Sequence, residues 1–185
     1  MNREQLEHVV RAAATVAGVD DVVVLGSQAV LATIGDWHLP HEVTRSIEAD
    51  IAIDHEIAPV SLGVDRADLA LLIEGALGEG SQFHATHGYY AEGVELEVAV
   101  LADGWRERLV PLICETGAAP KVGWCLSVAD VWVAKAAAAR TKDYEFCQAL
   151  AANGFVDRQV VDMLAASVRP PHRAAVDRVI ARSFG

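Results

Sequence analysis

The sequence has few cysteines, no long apolar run and little positive charge, and each shortage excludes a class of protein. Its three cysteines, Cys114, Cys125 and Cys147, are odd in number and form no Cys-x-x-Cys pair. We therefore expect free thiols rather than a disulfide framework or a zinc site. No apolar stretch reaches the roughly 20 residues of a membrane-spanning helix, and the first residues lack the apolar core of a signal peptide. These absences predict a cytoplasmic protein with no membrane partner.

Positive charge is scarce in the first half of the chain, and the formal net charge is −11. Residues 1–100 carry four arginines, no lysine and 17 acidic residues, whereas residues 101–185 carry eleven basic and nine acidic residues. A negative field opposes the approach of nucleic-acid phosphates. Any contact with RNA is therefore expected in the second half, where ordinary solvated helix surface is the alternative explanation of the charge.

The 185 residues, 52% of them hydrophobic, are enough to bury a substantial core. Apolar periodicity predicts an α/β (α+β) fold, with a mixed sheet and flanking helices followed by a helical C-terminal part. We expect an αβ core over residues 1–124, a helical region over 125–185, and a site in the cleft between them. Helices are predicted at these segments: Gln5–Ala17, Arg66–Leu77, Tyr144–Ala152, Val156–Val168 and from Pro170-Pro171 to Phe184.

A Gly26-Ser27 turn follows the apolar run Val22–Leu25 and precedes Gln28–Ile34, which has the spacing of a short helix. The run predicts a buried strand, because β-branched residues favour strands. Glycine lets a backbone approach a phosphate closely, and the unpaired amides of a first helical turn are donors to an anion. Gly26 and Ser27 are therefore candidate nucleotide-binding residues.

Two carboxylates alternate with apolar residues in Glu48-Ala49-Asp50-Ile51. In a strand, this spacing places Glu48 and Asp50 on one face. Carboxylates held side by side repel each other unless one takes a proton or a cation binds. Magnesium favours a few carboxylate oxygens together with substrate phosphates, so Glu48 and Asp50 are candidate ligands of Mg²⁺, with Mn²⁺ as a possible substitute.

A third carboxylate is expected in the segment Val94–Leu101. Alternation predicts a strand there, paired with the segment Phe83–Tyr90 through a turn near Glu92-Gly93. Glu95 and Glu97 share a face there. We favour Glu97 as the third metal ligand, where it would also help to activate the attacking oxygen, because its neighbours are the more apolar. An edge strand with a solvated acidic face is the alternative for both residues.

Lys135 lies in an otherwise apolar helix that begins with the capping pattern Ser127-x-x-Asp130. Its neighbours predict that it is either partly buried or placed beside a cavity, where it can pair with triphosphate oxygens. The alternative is a lysine that extends to water from a buried helix. Beyond this helix, Arg140 and Lys142 are candidates for phosphate contact, and Asp143 has the position of a helix cap.

Together, Gly26-Ser27, the segment from Ser46 to Ile51 and the later acidic segment resemble the nucleotidyltransferase superfamily of the polymerase beta type. Its pattern is Gly-Ser or Gly-Gly followed by an acidic-x-acidic strand. More narrowly, the stretch from Leu126 through Lys135-Ala136 to Arg140-x-Lys142-Asp143 is similar to AbiE-type and MenT-type toxin nucleotidyltransferases. The resemblance implies active-site roles for Lys135 and Asp143. Glu48 departs from the family, which usually has aspartate there, and its longer side chain changes the distance to a metal.

The resemblance implies a magnesium-dependent nucleotidyltransferase (EC 2.7.7 type) that moves a nucleoside monophosphate from a nucleoside triphosphate to an acceptor hydroxyl. It makes the tRNA 3′ end the leading acceptor and the protein a toxin with a cognate antitoxin. A small hydroxylated molecule or a protein side chain is an alternative acceptor, which the acidity favours if that acceptor is cationic. A catalytically silent binding module with the same fold is the alternative outside enzymes.

Overall fold

A five-stranded mixed sheet forms one layer of the fold in the computed structural model, which describes residues 1–35, 38–58, 65–115 and 119–185. The strand order is β3-β2-β1-β5-β4. β1 pairs parallel with β5 and antiparallel with β2, while β2 and β3 are parallel and β4 and β5 antiparallel. The strands are β1 (Asp21–Val24), β2 (Glu48–Ala52), β3 (Tyr90–Gly93), β4 (Val110–Cys114) and β5 (Lys121–Cys125).

Eight α-helices surround the sheet in the described part of the chain, and three 3₁₀ turns connect the elements. The first four helices are α1 (Arg3–Ala17), α2 (His41–Thr44), α3 (Arg66–Leu77) and α4 (Gln82–His87). The last four are α5 (Val128–Ala138), α6 (Thr141–Ala152), α7 (Arg158–Ala165) and α8 (His172–Ser183). The 3₁₀ turns are Ser27–Ala32, Leu96–Val98 and Trp105–Arg108. The predicted class, a mixed sheet with flanking helices, is confirmed.

Local sequence signals account for the ends of the predicted helices. The Asn2 side chain caps α1 by accepting a hydrogen bond from the Gln5 amide, and Gly18 ends the helix with a left-handed φ of 69°. Ser127 caps α5 by accepting from the Asp130 amide at 3.2 Å. The segment after Ser27 is helical as predicted, although it is a 3₁₀ turn rather than an α-helix.

The core joins the sheet to the C-terminal helices. Trp132 of α5 is fully buried, and its indole Nε1 donates to the Cys147 carbonyl of α6 at 2.9 Å. On the sheet, a Cβ at Gly123 would lie 2.8 Å from Val10 Cγ2, so the missing side chain lets α1 pack closely on β5. Buried residues from before and after residue 124 belong to one hydrophobic cluster. The division into two parts at that residue stays a prediction.

Two strand predictions are wrong. The segment Phe83–Tyr90 is mostly the helix α4, which Gly88 ends in the left-handed region. The segment Val94–Leu101 contains only the turn Leu96–Val98, and the strand lies earlier, at β3, where we predicted a turn. The Val94 amide still donates to the Ile51 carbonyl at 2.9 Å. β2 ends one residue after Ile51, at Ala52. The residues after Val94 therefore have almost no β2 backbone left with which to form a ladder.

Candidate active site

Strand β2 presents Glu48 and Asp50 on one face of the sheet, as the alternation predicted. Both are partly exposed, whereas Ala49 and Ile51 on the opposite face are fully buried. The residue after the neighbouring strand β1 holds the backbone of Asp50, since the Leu25 amide donates to the Asp50 carbonyl at 3.0 Å. The two acids therefore share a rigid strand.

Gly26 makes room for the Asp50 carboxylate. A Cβ at this position would overlap Asp50 Oδ2 and lie 2.6 Å from its Cγ. Contacts this short do not occur between non-bonded atoms, so any side chain at position 26 would displace Asp50. The sequence suggested Gly26 for close contact with a phosphate. The structure shows that a glycine is needed at this position because the Asp50 carboxylate fills the space that a side chain would occupy.

A cavity of about 240 Å³ lies between strands β2 and β3 and helix α5. Glu48, Asp50 and Lys135 line its polar side, and Val94, Val98, Ala99, Ala134 and Ala138 its apolar side. A smaller cavity of about 40 Å³ adjoins it and is lined by Ser27, Lys142 and Asp143, among others. Glu48 and Lys135 line both cavities. Glu48 and Lys135 are therefore at the junction of the two cavities, whereas Asp50 lines the larger one.

Lys135 is held beside the acids by Asp143. Its side chain is only 17% exposed, and its Nζ lies 3.8 Å from Asp143 Oδ1. The same buried carboxylate accepts a hydrogen bond from Arg140 Nε at 2.7 Å and another from the Arg140 amide at 3.2 Å. Asp143 thus caps the first turn of α6 and also orients two cations, one of them from α5.

Burial raises the pKa of Asp50 above its usual range. The positive charge of Lys135 opposes this shift, while the negative charge of Glu48 adds to it. A carboxylate in this setting is stabilised by any further cation, because the cation offsets both the lost hydration and the repulsion.

Glu92 is a cavity-lining acid that sequence reasoning missed. It lies on β3 directly beside Asp50, since the parallel register pairs these two residues. Although the Glu92 side chain is largely exposed, partial desolvation at the cavity raises its pKa, and the charges of Asp50 and Glu48 raise it further. The sequence carries Glu92, but its place beside Asp50 depends on a strand pairing that local periodicity does not reveal.

Glu97 and Glu95, the predicted candidates for the third carboxylate, lie elsewhere. Glu97 is on the 3₁₀ turn after β3, with a side chain that is 68% exposed and pairs with Arg66 at 3.8 Å. Glu95 is exposed at the start of the same turn. The structure therefore brings Glu48, Asp50, Lys135 and Asp143 together, whereas neither Glu95 nor Glu97 is among the described residues that line the cavity.

Tyr90 occupies the β3 position beside Glu48. Its hydroxyl donates to Glu48 Oε2 at 3.0 Å, while Lys142 Nζ lies 4.0 Å from Oε1. Burial raises the pKa of Tyr90, and the hydrogen bond to Glu48 raises it further, so the phenol stays protonated as a donor. The two oxygens of Glu48 thus have different neighbours.

The donor set suits magnesium with substrate bound. Within residues 1–35, 38–58, 65–115 and 119–185, no group of three or more His, Cys, Asp or Glu side chains is placed to hold a metal ion. Magnesium, however, is commonly bound by one or two carboxylates, with phosphates and water completing its shell. Glu48 and Asp50 supply such a pair on one strand face.

Residues 4–174 match the profile of a protein family described as a nucleotidyltransferase of unknown function (DUF6036). The chain belongs to this family. The match includes the Gly26-Ser27 turn, β2 and Lys135, and it confirms the predicted nucleotidyltransferase superfamily. No curated protein and no solved structure matches the chain significantly. In the described part of this DUF6036 chain, no helix is both long and apolar enough to cross a membrane.

Proposed function

We propose that the protein is a magnesium-dependent nucleotidyltransferase that moves a nucleoside monophosphate from a nucleoside triphosphate to an acceptor hydroxyl. The observation that carries this proposal is the placement of Glu48 and Asp50 on one strand face, at a cavity that Lys135 also lines. Paired acids can bind a metal ion that bridges the phosphates of a nucleoside triphosphate, and a lysine beside them can neutralise the same phosphates.

Glu48 and Asp50 hold the magnesium ion, for which manganese can substitute. Bound magnesium offsets the charge that develops on the phosphates during transfer. Lys135 contacts the triphosphate as a compact positive charge, with Asp143 setting its position. The Ser27 hydroxyl lines the smaller cavity together with Lys135 and binds the same phosphates.

In the reaction, the acceptor hydroxyl oxygen forms a bond to the α-phosphorus. The bond between that phosphorus and the oxygen bridging to the β-phosphate breaks, and pyrophosphate leaves. Glu92 accepts the proton of the attacking hydroxyl. We assign this role to Glu92 rather than Glu97, because Glu92 lines the cavity beside Asp50, and a carboxylate with a raised pKa is a better proton acceptor.

The proposal is tested by incubating the protein with magnesium, each labelled nucleoside triphosphate and a mixture of RNA, protein and small hydroxylated molecules. We expect label transfer by the wild type and almost none by Asp50→Asn. Glu92→Gln should slow transfer by about 10²–10⁴-fold, the usual contribution of a general base. Glu97→Gln is the matched control, since it removes an exposed acid of equal charge. No transfer to any acceptor, with wild type and Asp50→Asn alike, contradicts the proposal.

For the acceptor, we propose the 3′ end of tRNA, with the protein acting as a toxin that a cognate antitoxin restrains. The sequence similarity of the Lys135 to Asp143 segment to toxin nucleotidyltransferases supports this acceptor. Cations at the smaller cavity support it as well, since Arg45 and Lys142 line that cavity and can meet an RNA backbone.

Periodate-oxidised tRNA separates this acceptor from the others, because oxidation destroys the terminal hydroxyls and leaves the rest of the molecule intact. We expect label on untreated tRNA and none on the oxidised sample. Transfer to both samples, or only to a small molecule or a protein, contradicts the tRNA proposal and leaves nucleotidyl transfer standing.

A further inference from the structure

We propose that Tyr90 is a positioning residue that holds the Glu48 carboxylate in the orientation needed for metal binding. The inference rests on the proposed function, because it concerns one of the two acids assigned to the metal. Tyr90 and Glu48 are direct neighbours on the parallel strands β3 and β2. Side chains at paired positions of adjacent strands lie on the same face, so the contact is built into the sheet.

The hydrogen bond from Tyr90 gives the two carboxylate oxygens of Glu48 different roles. The Tyr90 hydroxyl donates to Oε2 at 3.0 Å, and Oε1 lies on the side of Lys142, whose Nζ is 4.0 Å away. A bond to Oε2 leaves Oε1 available as a metal ligand. The phenol is neutral, so it orients the carboxylate without cancelling the charge that attracts a cation.

Glutamate needs such a partner more than aspartate does. Its side chain has one more rotatable bond, and fixing it for metal binding costs more conformational entropy. A donor on the adjacent strand reduces that cost by restricting the carboxylate before the metal arrives. Tyr90 thereby offsets part of the entropy cost of fixing the longer Glu48 side chain.

Tyr90 is itself supported by α4. The His84 ring lies 4.8 Å from the Tyr90 ring, centroid to centroid. His84 is in turn fixed by two hydrogen bonds, since its Nδ1 accepts from the Gly80 amide and its own amide donates to Ser81 Oγ, both at 3.1 Å. The phenol is therefore backed by a short capped helix.

Tyr89 provides a matched control. It precedes β3, and its hydroxyl contacts His8 Nδ1 of α1 at 2.7 Å instead of Glu48. Tyr90→Phe and Tyr89→Phe each remove one hydroxyl from adjacent positions and keep the ring. A general loss of stability would affect both variants, whereas a role at Glu48 is specific to Tyr90.

The test is a titration with Mn²⁺, followed by electron paramagnetic resonance, with and without α,β-methylene ATP and with no acceptor present. Loss of a hydrogen bond that orients a metal ligand typically costs 10–100-fold in metal affinity. We expect Tyr90→Phe to weaken Mn²⁺ binding by about 10-fold, and Tyr89→Phe to leave it within about twofold. In a Glu48→Gln background, Tyr90→Phe should cause no further loss, because the two residues act through one contact.

The outcomes separate the inference from the proposed function. If the wild type binds no Mn²⁺ under either condition, both fail. If the wild type binds Mn²⁺ and Asp50→Asn does not, while Tyr90→Phe matches the wild type, the inference alone is overturned. It is also overturned if Tyr90→Phe weakens binding as much in the Glu48→Gln background as in the wild type.

Discussion

At Gly26 the lack of a side chain decides whether Asp50 can face the cavity. We expect Gly26→Ala to destabilise the protein by about 1–3 kcal/mol, because the added methyl overlaps the Asp50 carboxylate. Nucleotidyl transfer should be lost with it. Urea unfolding gives the first quantity and the labelled-triphosphate assay the second.

Gly75 of α3 is the control for this substitution, since a Cβ there meets no atom within 4 Å. Gly75→Ala should instead stabilise the protein by roughly 0.5–1 kcal/mol, because alanine is the better helix former. If both variants were stabilised, the close approach of Asp50 to Gly26 would be contradicted.

The raised pKa of Asp50 predicts a pH-dependent gain in stability for Asp50→Asn. The folded protein binds the proton of the Asp50 carboxyl more tightly than the unfolded chain does. The contribution of Asp50 to the free energy of unfolding of the wild type therefore falls as pH rises through the raised pKa. In metal-free buffer, Asp50→Asn should therefore be more stable than the wild type at pH 8. The difference should shrink as pH falls, because Asp50 itself becomes protonated.

Unfolding midpoints of both proteins, measured in chelator from pH 8 to pH 4, check this prediction. Added magnesium should raise the midpoint of the wild type and not that of Asp50→Asn. A variant that is less stable than the wild type at every pH would show that the Asp50 charge is not costly in the folded protein.

Among residues, the sequence was informative where a single strand or helix carried the whole signal. The alternation of Glu48 and Asp50 with Ala49 and Ile51 predicted their shared face. The apolar neighbours of Lys135 predicted that it is either partly buried or placed beside a cavity, and the structure shows both. Glu92 and Tyr90 could not be found in this way. Their importance comes from pairing with a strand about 40 residues away, and register between distant strands is not encoded in local periodicity.

The turn between α5 and α6 contains an alanine in the left-handed conformation. Ala139 has φ 54° and ends the helix that carries Lys135. Left-handed geometry costs a non-glycine residue about 1–2 kcal/mol, so Ala139→Gly should raise the free energy of unfolding by roughly 0.5–1 kcal/mol in a urea titration.

Ala12 in the interior of α1 is the control for this turn. There, the change to glycine should cost about 1 kcal/mol, because the backbone is ordinary helix. Equal destabilisation by both substitutions would contradict the left-handed turn.

Helices and strands were predicted correctly where the local sequence alone determines the secondary structure. α1 has a cap and apolar periodicity, whereas α5 has a cap and a nearly continuous apolar run, and both were found. β4 and β5 were not, because Pro111 interrupts the first and Gly123 and Lys121 weaken the strand character of the second. Val94–Leu101 has the alternation of a strand, but pairing stops where β2 ends. Whether an alternating segment becomes a strand depends on a neighbour, which the segment itself does not specify.

The three buried cysteines report on the stability of the whole molecule. Burial raises the pKa of the Cys114 thiol to about 11 and raises the pKa of Cys125 and Cys147 as well. Thiols in this state react slowly, because both access and thiolate are limited. We expect iodoacetamide at pH 8 to label all three far more slowly in the native protein than in urea.

The order of labelling follows from the sheet. Cys114 lies on β4 at one edge, whereas Cys125 lies on β5 inside the sheet. Peptide mapping by mass spectrometry should show Cys114 modified before Cys125, because edge strands open at lower free energy. Modification of Cys125 before Cys114 would contradict the strand order.

β3 lies at the other edge of the sheet, and we expect this edge strand to open on heating before the rest of the protein unfolds. Tyr90 and Glu92 belong to β3, which among the strands of the described residues pairs only with β2. Local opening of this strand would disorder both side chains while the buried helices stay folded. Activity should therefore disappear several degrees below the melting temperature seen by circular dichroism and return on cooling. For this protein, the temperature limit of function would be set by one strand of four residues rather than by its core.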